Sequence, residues 1–356
     1  MKIAIYCICK NESLHIERFM QTAQEADHIY ITDTGSSDNS IELLKQYSNV
    51  TVNTALINPW RFDDARNISL SFVPLDVDVC VCVDLDEILS PGWRQAIERV
   101  WIPNKTTKLK YKYNWSHLED GSPGTTFWYE KIHSRSGYRW VKPVHEVLHS
   151  YIDENIAMSY DFQLDHWPDL SKSRSNYLAL LKLAIDEEPE DDRSAHYYGR
   201  ELMFNGRYED AIIELKRHIN LKSAVWIPEV ANSMRYIARC YFNLNDINNA
   251  LYYSQMACIK CPEQREVWLE FAKIAYHNQD YLSSYYASKK CVSIIERELT
   301  YISEPEAWSE LPWDILSISA YNIGHLSDAR NAIKEAIKIN PYDSRLQSNA
   351  ELLSKD

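Results

Sequence analysis

Val77–Leu89 reads VDVCVCVDLDEIL. The Val/Cys run through Val83 is apolar on both faces, the pattern of a strand buried inside a parallel sheet. It then runs into Asp84, Asp86 and Glu87. If the strand continues, alternation sends Asp84 and Asp86 to the same side. Neighbouring carboxylates repel one another and need a cation or a hydrogen-bond donor. Oxygen ligands suit a hard cation, Mg²⁺ or Mn²⁺, which at the edge of a nucleotide-type sheet would bridge to a diphosphate. The plainer alternative is that Asp86 or Glu87 caps the segment leading to Pro91.

Working outward, KIAIYCI, HIYITDT and VTVNTAL read as strands, and ESLHIERFMQTAQEA, GSSDNSIELLKQY and FDDARNISLSFV as helices. In the first of these helices Leu14, Phe19, Ala23 and Ala26 share a face. This alternation predicts an α/β fold with a largely parallel sheet and helices on both faces. Such sheets bind ligands beyond the carboxyl ends of their strands. Those ends carry Lys10-Asn11-Glu12, Asp33 to Asp38, and Asp84 to Glu87, so all three polar clusters fall at one rim. MKIAIYCICKNES reads as a first strand rather than a signal peptide.

From about Ser171 the strand signals stop and helical units repeat. Ala211, Ala250, Ser284 and Ala329 are equivalent small positions, spaced 39, 34 and 45 residues apart, each with a small residue twelve earlier: Gly199, Ala238, Ala272 and Ser317. Small residues at such spacing let paired helices approach closely, and the pattern resembles degenerate tetratricopeptide (TPR) repeats with insertions. The expected domains are 1–170, α/β, and 171–356, α-helical; an ordinary helical bundle is the alternative for the second.

The 356 residues, 45% hydrophobic with 24 Tyr and 11 Trp, exclude a disordered chain. A net charge of −13 disfavours a nucleic-acid partner, which needs a basic face. No apolar run reaches the ~20 residues of a membrane span. The eight cysteines read as reduced, buried hydrophobes, consistent with a cytoplasmic protein. Cys258-Ile-Lys-Cys261 lacks a second ligand pair.

The order KIAIYCICKNES, DTGSSDNS, FDDARN, VDLDEIL and RWVKPVHEVL resembles family 2 glycosyltransferases of the GT-A fold, especially members followed by tetratricopeptide-like repeats. The resemblance implies metal-dependent transfer of a sugar from a nucleotide sugar, a UDP-sugar above all, with inversion. It implies Asp86 as metal ligand, Asp84 shared between metal and ribose, and Asp33 at the base or ribose. Lys10, Asn11 and Glu12 would wall the nucleotide, with Arg66 positioning Asp84 or a phosphate. His145 would complete the metal site, with His166 as the alternative. Lys131 or Arg135 would steady the leaving diphosphate, their alternative being solvated surface.

A general base must lie within hydrogen-bond reach of the acceptor, and Glu119, Asp120 and Glu146 are the candidates. The aromatic stretch Tyr111–Trp140 offers an acceptor wall, beside a run of lysines, Lys105, Lys108, Lys110 and Lys112, read first as a solvated strand face. Acceptors open to this reading are a glycan such as lipopolysaccharide, a peptide or protein, or a modified DNA base. The helical repeats offer surfaces for homo-oligomerisation. Two other readings compete: a nucleotidyltransferase, which would carry a Gly-rich basic loop where KNES stands, and a repeat-based, peptide-binding scaffold with an inactive nucleotide-binding domain.

Overall fold

The computed structural model describes residues 1–169 and 176–355. The chain divides into two compact units, Met1–Ala184 and Ile185–Asp356. The boundary expected at 170/171 falls on residues outside those described.

In the first unit, elements appear in the order β1 (Ile3–Cys9), α1 (Ile16–Ala23), β2 (His28–Asp33), α2 (Ser40–Leu44), β3 (Val50–Thr54), α3 (Phe62–Ser71), β4 (Val79–Cys82), β5 (Glu87–Leu89) and α4 (Trp93–Val100). Then come β6 (Lys108–Asn114), β7 (Thr126–Ser134), β8 (Tyr138–Val141), β9 (Val147–Ser150) and β10 (Ile156–His166), and the division at Ala184 falls inside α5 (Tyr177–Glu187). One sheet has the order β3-β2-β1-β4-β7-β6-β10-β5, and β8-β9 forms a separate hairpin. The strands β3, β2, β1 and β4 pair in parallel. Beyond β4 the expected parallel sheet becomes mixed: β7 is antiparallel to β4 and β6, while β10 runs parallel to β6 and antiparallel to β5. The reason is local, since β6 and β7 are joined by a short connection through Gly121 and Gly124 that can only reverse the chain.

Alternation along β1 and β4 feeds two cores. Ile3, Ile5, Cys7, Cys9, Val79, Val81 and Val83 pack with Ile16, Phe19 and Met20 of α1 and Trp93 and Ile97 of α4. On the other face Ala4, Tyr6, Cys80 and Cys82 pack with Leu70 of α3 and Trp140 of β8. Leu14 departs from its expected face: it lies before α1 begins and is 82% exposed. All eight cysteines are buried free thiols.

The second unit is built of antiparallel-contacting helix pairs: α6 (Asp192–Phe204) with α7 (Tyr208–His218), α8 (Ile227–Asn243) with α9 (Ile247–Lys260), α10 (Arg265–His277) with α11 (Tyr281–Ser293), and α12 (Leu311–Asn322) with α13 (Leu326–Ile339), followed by α14 (Ser344–Lys355). The turn inside each pair has the same build. A left-handed residue, Gly206, Asn245, Gln279 or Gly324, stands five positions before Ala211, Ala250, Ser284 or Ala329. The next amide reaches back to the carbonyl five residues earlier: Arg207 to Leu202, Asp246 to Tyr241, Asp280 to Ala275, His325 to Ala320. The small positions are the contact between helices: Ser284 Oγ donates to the Ala272 carbonyl (3.1 Å) and Ser317 Oγ to that of Ala329 (3.0 Å). These repeated, geometrically matching pairs make the unit TPR-like.

The 45-residue spacing arises from residues 294–310, an insertion carrying a 3₁₀ turn at Pro305–Trp308. It lies across the first helices of successive pairs. Glu304 accepts from Arg235 (2.6 Å) and Arg239 (2.7 Å) of α8, Trp308 Nε1 donates to Glu266 of α10 (3.1 Å), and Tyr301 stacks on Tyr197 of α6 at 5.6 Å.

Candidate functional site

Because β7 and β5 alone run against the other strands of this sheet, the C-terminal ends of β1, β2, β3, β4, β6 and β10 share one rim. The acid cluster of VDVCVCVDLDEIL sits there, but not as a continued strand. β4 stops at Cys82, and a turn closed by Glu87 N donating to the Asp84 carbonyl (3.0 Å) carries the chain into β5. The expected common side for Asp84 and Asp86 is therefore lost, and the two carboxylates face different partners.

Asp84 meets Arg66 through Nη1 and Nη2, each 3.0 Å away, and Lys131 Nζ at 3.1 Å. Lys131 Nζ also donates to Glu87 Oε1 (3.0 Å), Tyr113 OH donates to the same oxygen (2.8 Å), and the Asp84 amide donates to Glu87 Oε2 (2.7 Å). Burial opposes charge on Asp84, but the Arg66 and Lys131 cations outweigh it and hold its carboxyl well below the usual range. Burial instead pushes Glu87 up, opposed by Lys131. Arg66 is itself buried, and its guanidinium lies over Trp140 and pairs with Glu146.

Asp86 has no arginine or lysine among the described residues; its ionic partner is His166, with Nε2 3.3 Å from Oδ2. The antiparallel β5–β10 ladder sets this contact, placing His166 opposite Glu87, and Trp167 N donates to the Asp86 carbonyl one step further (2.9 Å). His166 Nδ1 lies 3.0 Å from the Trp115 carbonyl. A carbonyl only accepts, so Nδ1 carries the proton, and in the neutral ring Nε2 presents its lone pair to Asp86. Burial disfavours charge on this imidazole, but Asp86 outweighs it and raises the ring's pKa. His145, by contrast, turns towards the ring of Tyr177, 6.0 Å between centroids. Among the described residues, Asp84, Asp86 and either histidine do not bring three ligand atoms within 4.8 Å of one another.

The remaining expected residues scatter. Asp33 is buried and accepts from the amides of Gly35 (3.0 Å) and Ser36 (3.2 Å), which shapes the loop after β2. Asn11 Oδ1 accepts from Ser37 N (2.7 Å), and the Glu12 amide donates to Ser40 Oγ (2.8 Å), so the loops after β1 and β2 are tied together; Lys10 is exposed beside them. Asp38 closes this tie. Burial opposes its charge, yet donors from Ser40 and Ser13 hold it at about 2. Arg135 lies away from the rim: antiparallel pairing puts Ser134 opposite Val79 at the start of β4, and Arg135 Nε donates to the Val73 carbonyl (2.7 Å). Lys131 is not solvated surface but 5% exposed.

Of the base candidates, Glu146 is engaged by Arg66, while Glu119 and Asp120 are exposed on the β6–β7 connection, where Asp120 accepts from Ser122. The lysine run is not uniformly solvated: Lys108 is buried and paired with Glu154.

No protein-family model matches the chain, and no curated protein matches it in sequence. Among solved structures it is similar to repeat proteins. The protein MamA shares 14% identity over 48% of this chain and 85% of its own, with a TM-score of 0.38. YrrB, described as a TPR protein with an unusual peptide-binding site, shares 13% over 49% of this chain and 82% of its own, with a TM-score of 0.41. PilF of Pseudomonas aeruginosa shares 15% over 50% and 72%, with a TM-score of 0.39. At such scores the likeness decides nothing by itself; the TPR-like character of the second unit rests on its turns and small-residue contacts.

Sequence reading gave Glu87 no role beyond the cap alternative and passed over Asp165. Glu87 is the buried counter-charge to Lys131. Asp165 accepts from Asn114 Nδ2 (2.6 Å) and Gln163 Nε2 (3.1 Å) and lies 3.3 Å from His117 Nε2. The alternating run SYDFQLDH, ending in adjacent acid and imidazole, was the available signal for Asp165.

Proposed function

We propose that the first unit is a metal-dependent glycosyltransferase of the GT-A kind, acting on a nucleotide sugar, UDP-linked above all, at the rim of its sheet. The observation that supports this reading most is the unequal treatment of the acids. Asp84 is held by Arg66 and Lys131 and Glu87 by Lys131, whereas Asp86, half-buried, faces only the Nε2 of His166 among the described residues. A carboxylate oxygen and an imidazole nitrogen 3.3 Å apart make a pair suited to a shared divalent ion, Mn²⁺ or Mg²⁺, whose other ligands would come from a diphosphate and water. Bound there, the ion would act as a Lewis acid on the diphosphate.

The chain's own groups supply the rest. Arg66 and Lys131 hold Asp84 in place beside the ion's carboxylate. In the reaction the acceptor oxygen bonds to the anomeric carbon as that carbon's bond to the phosphate oxygen breaks; the nucleoside diphosphate leaves with the electron pair, and the acceptor proton passes to a base. Asp165, at the rim and hydrogen-bonded on both oxygens, joins Glu119 and Asp120 as a candidate for that base. The test is thermal: UDP with Mn²⁺ raises the melting temperature of the wild-type chain and not of Asp86→Ala. No shift with any nucleotide–metal pair would sink the reading.

A second reading, a repeat scaffold that binds a peptide or protein beside an inactive nucleotide-like unit, is favoured by the TPR-like helix pairs and by the saturation of Asp84 with cations. The insertion 294–310 speaks against its simplest form. The α6, α8 and α10 face that would take a peptide is crossed by the chain's own Tyr301, Glu304 and Trp308. Acceptor class (glycan, peptide or protein) and self-association through the helical unit belong to the same proposal. No helix among the described residues is long and apolar enough to cross a membrane.

A further inference from the structure

Three helix ends converge in the second unit, away from anything used above. Asp192 opens α6, His218 closes α7, and Glu229 lies in the first turn of α8. One ligand atom from each lies within 4.8 Å of the others. His218 is wholly buried and Glu229 is 4% exposed. A carboxylate so deeply buried needs a counter-charge. The partner of Glu229 is His218, but Nε2 stands 3.5 Å from Oε1 and makes no hydrogen bond at all. The buried imidazole nitrogen is thus aimed between two carboxylates with nothing bonded to it.

Behind the ring, His218 Nδ1 lies 2.8 Å from Ser233 Oγ, and Ser233 Oγ lies 2.7 Å from His196 Nδ1. A hydroxyl has one proton, so it donates to one of these nitrogens and accepts from the other. One direction has His218 Nδ1–H donating to Ser233 and Ser233 O–H donating to His196 Nδ1, which leaves His196 Nε2–H making no hydrogen bond among the described residues; the reverse direction points His218 Nε2–H at the carboxylates. In the first direction Nε2 of His218 is a lone pair facing two carboxylates, the arrangement that a bound cation would select. This back-side hydrogen bond is also how proteins orient a ligating histidine.

We propose that Asp192, His218 and Glu229 bind a divalent transition-metal ion, with one nitrogen and two oxygen donors in the manner of Zn²⁺ or Co²⁺. Asp192 is only half-buried, which gives the ion an entry and leaves a coordination position for water. The ion would clamp the start of α8 to the first helix pair. This site is independent of the sheet rim and does not depend on the glycosyltransferase reading.

The test uses the full chain carrying Asp86→Ala, stripped with chelator, so that the rim is removed from the experiment. Co²⁺ titration followed by visible absorption, and Zn²⁺ titration by calorimetry, are expected to show a single equivalent bound. Adding Asp192→Asn or Glu229→Gln should weaken binding roughly tenfold or more, and His218→Gln should abolish it. Asp192→Asn alters a half-buried side chain, and circular dichroism of that variant confirms that loss of binding is not loss of fold. Absence of Co²⁺ and Zn²⁺ binding in the Asp86→Ala chain overturns the proposal, leaving His218 Nε2–H as the partner of Glu229. So does affinity unchanged by Asp192→Asn and Glu229→Gln.

Discussion

Lys131 shows how much one side chain decides at the rim. Its ammonium is the shared counter-charge of Asp84 and Glu87; without it the half-buried Asp84 keeps Arg66, while the buried Glu87 has no cation among the described residues. Lys131→Met should therefore destabilise the first unit by about 3–5 kcal/mol, read by denaturant unfolding, well above the ~1 kcal/mol of a surface pair. Glu304 carries the corresponding prediction for the second unit. Burial opposes its charge, but Arg235 and Arg239 outweigh burial and lower it from 4.5 to about 2. Its folded value is depressed, so its contribution to stability is present above pH 4.5 and is lost as pH falls towards 2. The stability gap between wild type and Glu304→Gln should close over that window; a gap independent of pH would contradict the assignment. The family resemblance implied Arg66 beside Asp84, but the link from Lys131 to Glu87 and the Glu304 network were not legible in sequence, because each joins residues dozens of positions apart whose only local signature is an ordinary charged residue.

At the scale of elements, the helix pairs make sharper predictions because the sequence already marks them. A Cβ on Gly199 would stand 2.6 Å from Leu215 side-chain atoms and 3.3 Å from the Leu215 amide. Alanine favours a helix by up to ~1 kcal/mol over glycine, but overpacking costs about 1–3 kcal/mol, so Gly199→Ala should lower stability on balance. Gly206 has open space around it and a φ of +72°, so Gly206→Ala should cost about 1–2 kcal/mol through backbone conformation alone. Equal stability of both variants and wild type in urea titrations would refute the repeat geometry.

The small-residue spacing was readable because it is periodic and local. The route of residues 294–310 was not: a long spacing announces an insertion but says nothing about the face it covers. Likewise βαβ alternation foretold the β3-β2-β1-β4 half of the sheet. The register of β5 on β10, which sets His166 rather than His145 against Asp86, is fixed by pairing between segments some 75 residues apart. No motif encodes that.

For the whole molecule, a mixed α/β unit and a TPR-like helical unit follow one another in a chain of net charge −13. The sheet of the first unit brings its acid-bearing loops to one rim; the second unit carries its own buried polar network and an inserted segment across its first helices. The Val/Cys run of Val77–Leu89 ends at that rim, and the turn after it separates a cation-locked Asp84 from Asp86, which faces His166. The central claim is that this turn presents a divalent ion to a nucleotide diphosphate. Hydrolysis of a panel of nucleotide sugars, with and without Mn²⁺, tests it most directly. The account predicts metal-dependent release of nucleoside diphosphate from one donor by the wild type, reduced by roughly a hundredfold or more in Asp86→Ala. Indistinguishable behaviour of wild type and Asp86→Ala across the panel would contradict it.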